Sequence, residues 1–123
     1  MKNIFAIFIV LFTISLDLAA QTNNLQYNRS IYLQLNCTNG SAGCILDSTI
    51  TISPGKVWKL ESSTAEVYGN TRINGIVIGQ YAGMAQTGFP IWLPAGSYTF
   101  TVATGVSDSI KGFFSGIEFN EVP

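Results

Sequence analysis

The sequence has no histidine and only two cysteines among its 123 residues. Without an imidazole, the usual Ser-His-Asp and Cys-His catalytic arrangements cannot be built. Two cysteines and no histidine also leave too few ligands for a closed zinc site. Charge is scarce: 11% of the residues carry it and the net charge is −1. A near-neutral chain has no electrostatic footprint for nucleic acid or for an anionic membrane. It also has little like-charge repulsion to hold copies apart. Beyond residue 20 there is no long apolar run, and no stretch repeats its apolar residues at helical spacing.

The one long apolar run lies at the start. Lys2 is followed by Ile4 to Leu16, broken only by Thr13 and Ser15, and then by Leu18-Ala19-Ala20. A charged start, an apolar middle and small residues before a polar stretch make a secretory signal peptide, here residues 1–20. The run is shorter than the roughly 20 apolar residues of a membrane helix, so no membrane span is expected in the mature chain. The expected destination is secreted, extracellular or at the cell surface. Residues 21–28 are polar and read as a flexible lead-in, which leaves 29–123 as the folded domain. A domain of that size supports one core and buries about two-thirds of its surface.

Cys37 and Cys44 bracket a short loop rich in Gly, Ser and Ala. In an oxidising compartment such a pair is expected to form a structural disulfide. The spacing is not the Cys-x-x-Cys of redox enzymes.

What the chain does have is alternation. Ile31, Leu33, Leu35 and Cys37 alternate with Tyr32, Gln34 and Asn36, and Tyr98, Phe100 and Val102 alternate with Thr99 and Thr101. Period two marks a strand with one buried face. Thr49 to Ile52 alternates too, and Pro54-Gly55 after it suits the centre of a type II turn. Trp58 and Leu60 share a face and read as core, while Val57 points the other way with Lys59 and Glu61. Asn74-Gly75 between apolar residues signals a tight hairpin. Residues 79–88 are glycine-rich and read as a loop. Ile91 to Leu93, Pro94-Ala95-Gly96 and the strand after them read as a second hairpin at the centre of the domain. Phe113, Ser115, Ile117 and Phe119 share one parity in a last strand, with Gly116 marking a bulge or close contact. Seven or eight short strands with regular turns predict an all-β, two-sheet antiparallel β-sandwich, jelly-roll-like in preference to immunoglobulin-like. The segment Gly112 to Phe119, which contains Phe114-Ser115-Gly116, resembles the last strand of C1q/TNF-type jelly rolls. That resemblance implies a trimer packed through aromatic faces.

Candidate chemistry is sparse. Asp47, Glu61, Glu66, Asp108, Glu118 and Glu121 are read as solvated surface carboxylates, so no catalytic residues are expected. No cofactor is expected: Asp47 and Asp108 sit among oxygen-bearing neighbours that could gather around Ca²⁺, but no ligand loop of recognisable spacing appears, and a turn-forming Asp that bonds its own backbone is the commoner case. The aromatics are more informative. Trp92 is out of phase with Ile91 and Leu93, Tyr32 is out of phase with Ile31 and Leu33, and Tyr81 lies in the glycine-rich loop. Phe113-Phe114 puts one ring on each side of a strand. Trp92, Tyr81, Tyr32 and Phe114 are therefore the candidate ligand or interface aromatics. They suit either contact with another copy or another extracellular protein, or stacking on carbohydrate. The expectation is a small secreted non-catalytic module, structural or binding, that self-associates. A carbohydrate-binding or adhesive module is the alternative, and a small hydrolase is disfavoured.

Overall fold

A computed structural model describes residues 24–39, 43–66, 68–81, 88–106 and 109–123. The signal-peptide reading of residues 1–20 lies outside them. Eight strands follow in order: β1 (Asn24–Thr38), β2 (Cys44–Ile52), β3 (Lys56–Ala65), β4 (Gly69–Ile73), β5 (Ile76–Gln80), β6 (Ile91–Leu93), β7 (Gly96–Thr104) and β8 (Ser109–Val122). They form two antiparallel sheets of four, ordered β1-β8-β3-β6 and β2-β7-β4-β5. No helix occurs among the described residues, so none there is long and apolar enough to cross a membrane.

The pairing explains the order. β1 pairs with β8, β2 with β7, β3 with β6 and β4 with β5. One long antiparallel ribbon, closed by the β4–β5 turn, has been wrapped so that it also pairs β8 with β3 and β7 with β4. That wrapped ribbon is a jelly roll, as the alternation and turn spacing predict. The ribbon's two free ends meet, because Asn24 is the register partner of Val122.

Asn74-Gly75 closes the hairpin. Both residues have positive φ, +49° and +81°, as a type I′ turn requires. Asn74 N donates to Thr99 O at 2.8 Å, and its side-chain oxygen accepts from Thr99 N at 2.9 Å. Those two bonds tie the turn to β7.

The second expected hairpin is not one. β6 lies in the first sheet and β7 in the second, so Pro94-Ala95 is a corner between layers. The Pro54-Gly55 turn is a corner as well, because β2 and β3 also belong to different sheets. Its local geometry is as expected, with Lys56 N donating to Ser53 O at 3.1 Å and Gly55 at φ +77°. A turn signal shows that the chain reverses. It does not show whether the two arms bond to each other or climb to the next layer, about 10 Å away. Register places the two corners side by side, with Ile52 opposite Gly96 and Trp58 opposite Leu93.

The sheet also starts earlier than the sequence suggests. Asn24 to Tyr27 pair with Val122 to Phe119, so most of the polar lead-in is strand. Every side chain from Asn24 to Ser30 is exposed, so the short alternation of Leu25 and Tyr27 with Asn24, Gln26 and Asn28 marks no buried face. Residues 21–23 lie outside the described segments.

Phe100, Phe114, Leu60 and Val102 are fully buried at the centre of the sandwich. The Phe100 and Phe114 rings meet edge to face at 5.0 Å, and Trp58 packs on Phe100 at 6.2 Å. Trp58 and Leu60 are thus core, as expected. Ser63 and Thr71 are buried too and hydrogen-bond each other at 2.5 Å. Among the described residues no buried polar side chain lacks a partner. Cys37 and Cys44 form the expected disulfide, Cα to Cα 6.0 Å, and tie the end of β1 to the start of β2 across the layers.

Candidate functional site

β8 decides which side chains leave the core. Its inward parity carries Ile110, Gly112, Phe114 and Glu118, all buried. Phe113, Ser115, Ile117 and Phe119 are only half-buried and point outward. The outward parity is at least as apolar as the inward one, which carries Gly116 and Glu118, so alternation alone does not pick out the buried side. Neighbouring strands decide. Phe114 must share the space occupied by Phe100, and Gly116 is pressed against β3, where a Cβ would come within 2.2 Å of Lys59 O. Opposite Gly116 the register of β3 slips between Leu60 and Ser62, which leaves Glu61 as an extra, bulged residue.

Phe114 is therefore a core residue and not a ligand or interface aromatic. Its neighbour Phe113 takes the outer position, with its ring 6.3 Å from that of Tyr32. Register assembles the rest of the outer face. Tyr27, Phe119 and Val57 lie in one row across β1, β8 and β3; Ser30, Ile117, Lys59 and Trp92 lie in the next. Trp92 packs on Phe119 at 5.9 Å, and Lys59 Nζ sits 5.7 Å from the Trp92 ring centre. The same lysine pairs with Glu61 at 2.9 Å. The face is thus aromatic and locally neutral. Trp92 is 48% exposed, Tyr27 61% and Tyr32 67%.

Of the four aromatics singled out from sequence, Tyr32 and Trp92 share this face. Tyr81 does not. It follows β5 in the second sheet, half-buried, with its ring 5.2 Å from that of Tyr68. Tyr27, Val57, Ile117 and Phe119 belong to the face and were not singled out. The shared parity of Phe113, Ile117 and Phe119 was the available signal.

Glu118 is a second departure. It is buried at 6% exposure and is not a solvated carboxylate. Trp58 Nε1 donates to it at 2.7 Å, Asn28 Nδ2 at 2.5 Å, and Arg29 through Nε at 3.1 Å and an outer nitrogen at 3.2 Å. A slip in β1 register between Tyr27 and Arg29 aims Asn28 and Arg29 together at this one acid. Burial pushes the Glu118 carboxyl upward, but the bonds from Trp58, Arg29 and Asn28 and the Arg29 charge outweigh it, so its pKa lies below the ordinary value. With four donors on its two oxygens, this carboxylate clamps β1, β8 and β3 together.

Asp47 lies on the outer face of the second sheet and accepts from Thr101 Oγ1 at 2.6 Å. Asp108, the other acid considered for Ca²⁺, lies outside the described residues. Among the described residues no three potential metal ligands come together. A cavity of about 730 Å³ opens beside the disulfide, between Asn36, Ile45 and Thr104, and among the described residues no ionisable side chain lines it. No family model, curated protein or solved structure matches this chain, so the functional argument rests on the outer face of the first sheet.

Proposed function

We propose that this protein is a small secreted, non-catalytic jelly-roll module that serves a structural or binding role and associates with copies of itself. The observation that carries the reading is the outer face of β1, β8, β3 and β6. Six side chains there, Tyr27, Tyr32, Trp92, Phe113, Ile117 and Phe119, lie exposed or half-buried beside the buried Val57 and form an apolar surface on the side of the sheet that the core does not need. Contiguous apolar surface rimmed by polar residues marks an interaction site, and exposed Trp and Tyr are favoured anchors. The Lys59–Glu61 pair removes the charge penalty of bringing two such faces together. Export is supported by the N-terminal run and by the disulfide, which suits an oxidising compartment.

The exposed ring of Trp92 beside a lysine also suits stacking on a sugar. Carbohydrate binding is therefore the second reading. Sedimentation of the purified protein over a concentration series separates the two. Self-association that weakens in Trp92→Ala supports the first reading. A monomer whose glycan-array signal disappears in Trp92→Ala replaces it with the second.

A further inference from the structure

The four open edges of the sandwich are not alike. On one side lie β6, three residues bracketed by Pro90 and Pro94, and β5, five residues. Short strands and prolines are the usual protection of a sheet edge. On the other side lie β1, of 15 residues, and β2, of nine. Neither contains a proline or a glycine, and each carries one charge, Arg29 or Asp47. From Ser30 to Thr38, β1 pairs with β8 without a slip and holds no charge at all. The run is bounded by the bulge at Tyr27/Arg29 and by the corner after Thr38.

Beside this edge the sandwich is not closed. A cavity of about 190 Å³ opens there, lined by Arg29 to Leu33, Ile50 and Trp58. Leu33 and Ile50 are apolar residues packed on the core yet only partly buried. An unpaired backbone edge and an uncovered apolar seam thus coincide.

We propose that β1 pairs antiparallel with β1 of a second copy, about a two-fold axis at Gln34. The proposal rests on the self-association reading and names a second surface for it. The register follows from the bounds of the uncharged run. Gln34 faces its own copy, Leu33 faces Leu35, Tyr32 faces Asn36 and Ser30 faces Thr38. A charged strand meeting itself this way would set like charges close together, and this one has none to oppose. The first sheets join into one eight-stranded layer, and both aromatic faces become a single surface. Nine residues span about 30 Å, which with two layers gives roughly 600 Å² per copy, near the ~800 Å² of a standard interface. An isologous contact of this kind closes as a dimer.

Gln34 is exposed, and among the described residues its side chain bonds to Tyr32 and Asn36 on the same strand, so charge there spares the fold. Gln34→Lys and Gln34→Glu are each expected to weaken dimerisation at least tenfold in sedimentation, with unchanged melting. An equimolar mixture is expected to restore the dimer, because opposite charges then meet on the axis. If both variants dimerise like the parent while Trp92→Ala dissociates, the edge proposal is overturned and the aromatic-face reading stands. If the Gln34 variants dissociate and Trp92→Ala does not, the edge stands and the face reading falls. A parent that stays monomeric at its highest soluble concentration overturns both.

Discussion

The two sheets turn opposite characters to the solvent. On the first, Tyr32, Phe113, Ile117, Phe119 and Trp92 face outward. On the second, Asp47, Thr49, Thr51, Asn70, Arg72 and Ser97 face outward beside the exposed aliphatic Ile45 and Val77, and short polar bonds join Asp47 to the buried Thr101 at 2.6 Å, Arg72 to Asn70 at 2.7 Å and Thr51 to Ser97 at 2.9 Å. Both sheets use the same inward alternation, so the fold does not ask for this difference. A sandwich needs one apolar face per sheet. The second sheet adds the aliphatic Ile45 and Val77 outside that face, whereas the first adds the rings of Tyr32, Phe113, Phe119 and Trp92. The surplus apolar side chains of the first sheet do not build the core, and the proposed self-association rests on them.

The largest test of that division compares adjacent residues on β8. Phe114→Ala is expected to cost about 3–5 kcal/mol in denaturant unfolding, as for a buried ring in a packed core. Phe113→Ser, one position along and half-buried, is expected to cost less than about 1.5 kcal/mol. Equal losses would show that the outer face is needed for folding, and the contrast between the sheets would lose its meaning.

A smaller effect separates the faces themselves. Phe119→Ser on the first sheet is expected to weaken self-association about tenfold, or ~1.4 kcal/mol. Thr49→Ala on the second is expected to leave it unchanged. Sedimentation equilibrium of the two variants reads the difference directly, and equal weakening would dissolve the distinction.

Smallest is the acid response of the clamp that holds the aromatic sheet together. Glu118 binds its proton less readily in the folded chain than in the unfolded one. Its contribution is therefore present above the ordinary glutamate pKa, about 4.5. As pH falls from there through the lower folded value, unfolding takes up a proton and that stability is lost. Glu118→Gln is expected to be less stable than the parent at pH 7 and to lose less between pH 5 and pH 3. Urea midpoints at these pH values check it. Parallel acid profiles would mean that the clamp does not titrate as described.

The layers were legible in the sequence because period two survives wherever one side of a strand is wet. Tyr98, Phe100 and Val102 show it, as do Trp58 and Leu60. It fails where the more apolar side is not the buried one. Asn24 to Asn28 carries only Leu25 and Tyr27 on one side, both exposed, and the polar residues around them read as a lead-in. In Phe113 to Phe119 the outward parity, Phe113, Ile117 and Phe119, is more apolar than the inward one, Phe114, Gly116 and Glu118, so neither the burial of Phe114 nor that of Glu118 was visible. Long-range register settles such cases, and register is absent from a local window. Pro54-Gly55 and Pro94-Ala95 were plain as turns but not as corners, for the same reason. The face itself was half legible. Tyr32 and Trp92 stand out of phase with their neighbours, whereas Tyr81 drew notice only for its glycine-rich setting and belongs with Tyr68.

The pairing of Asn24 with Val122 brings both ends of the folded domain to one pole. A few added residues could bridge them, and new ends could be opened at Asn74-Gly75, the hairpin tip far from that pole along the ribbon. Such a circular permutant would keep every sheet pair. A tether fixed at either end would likewise depart from the same pole and leave the broad sides of the sandwich unobstructed.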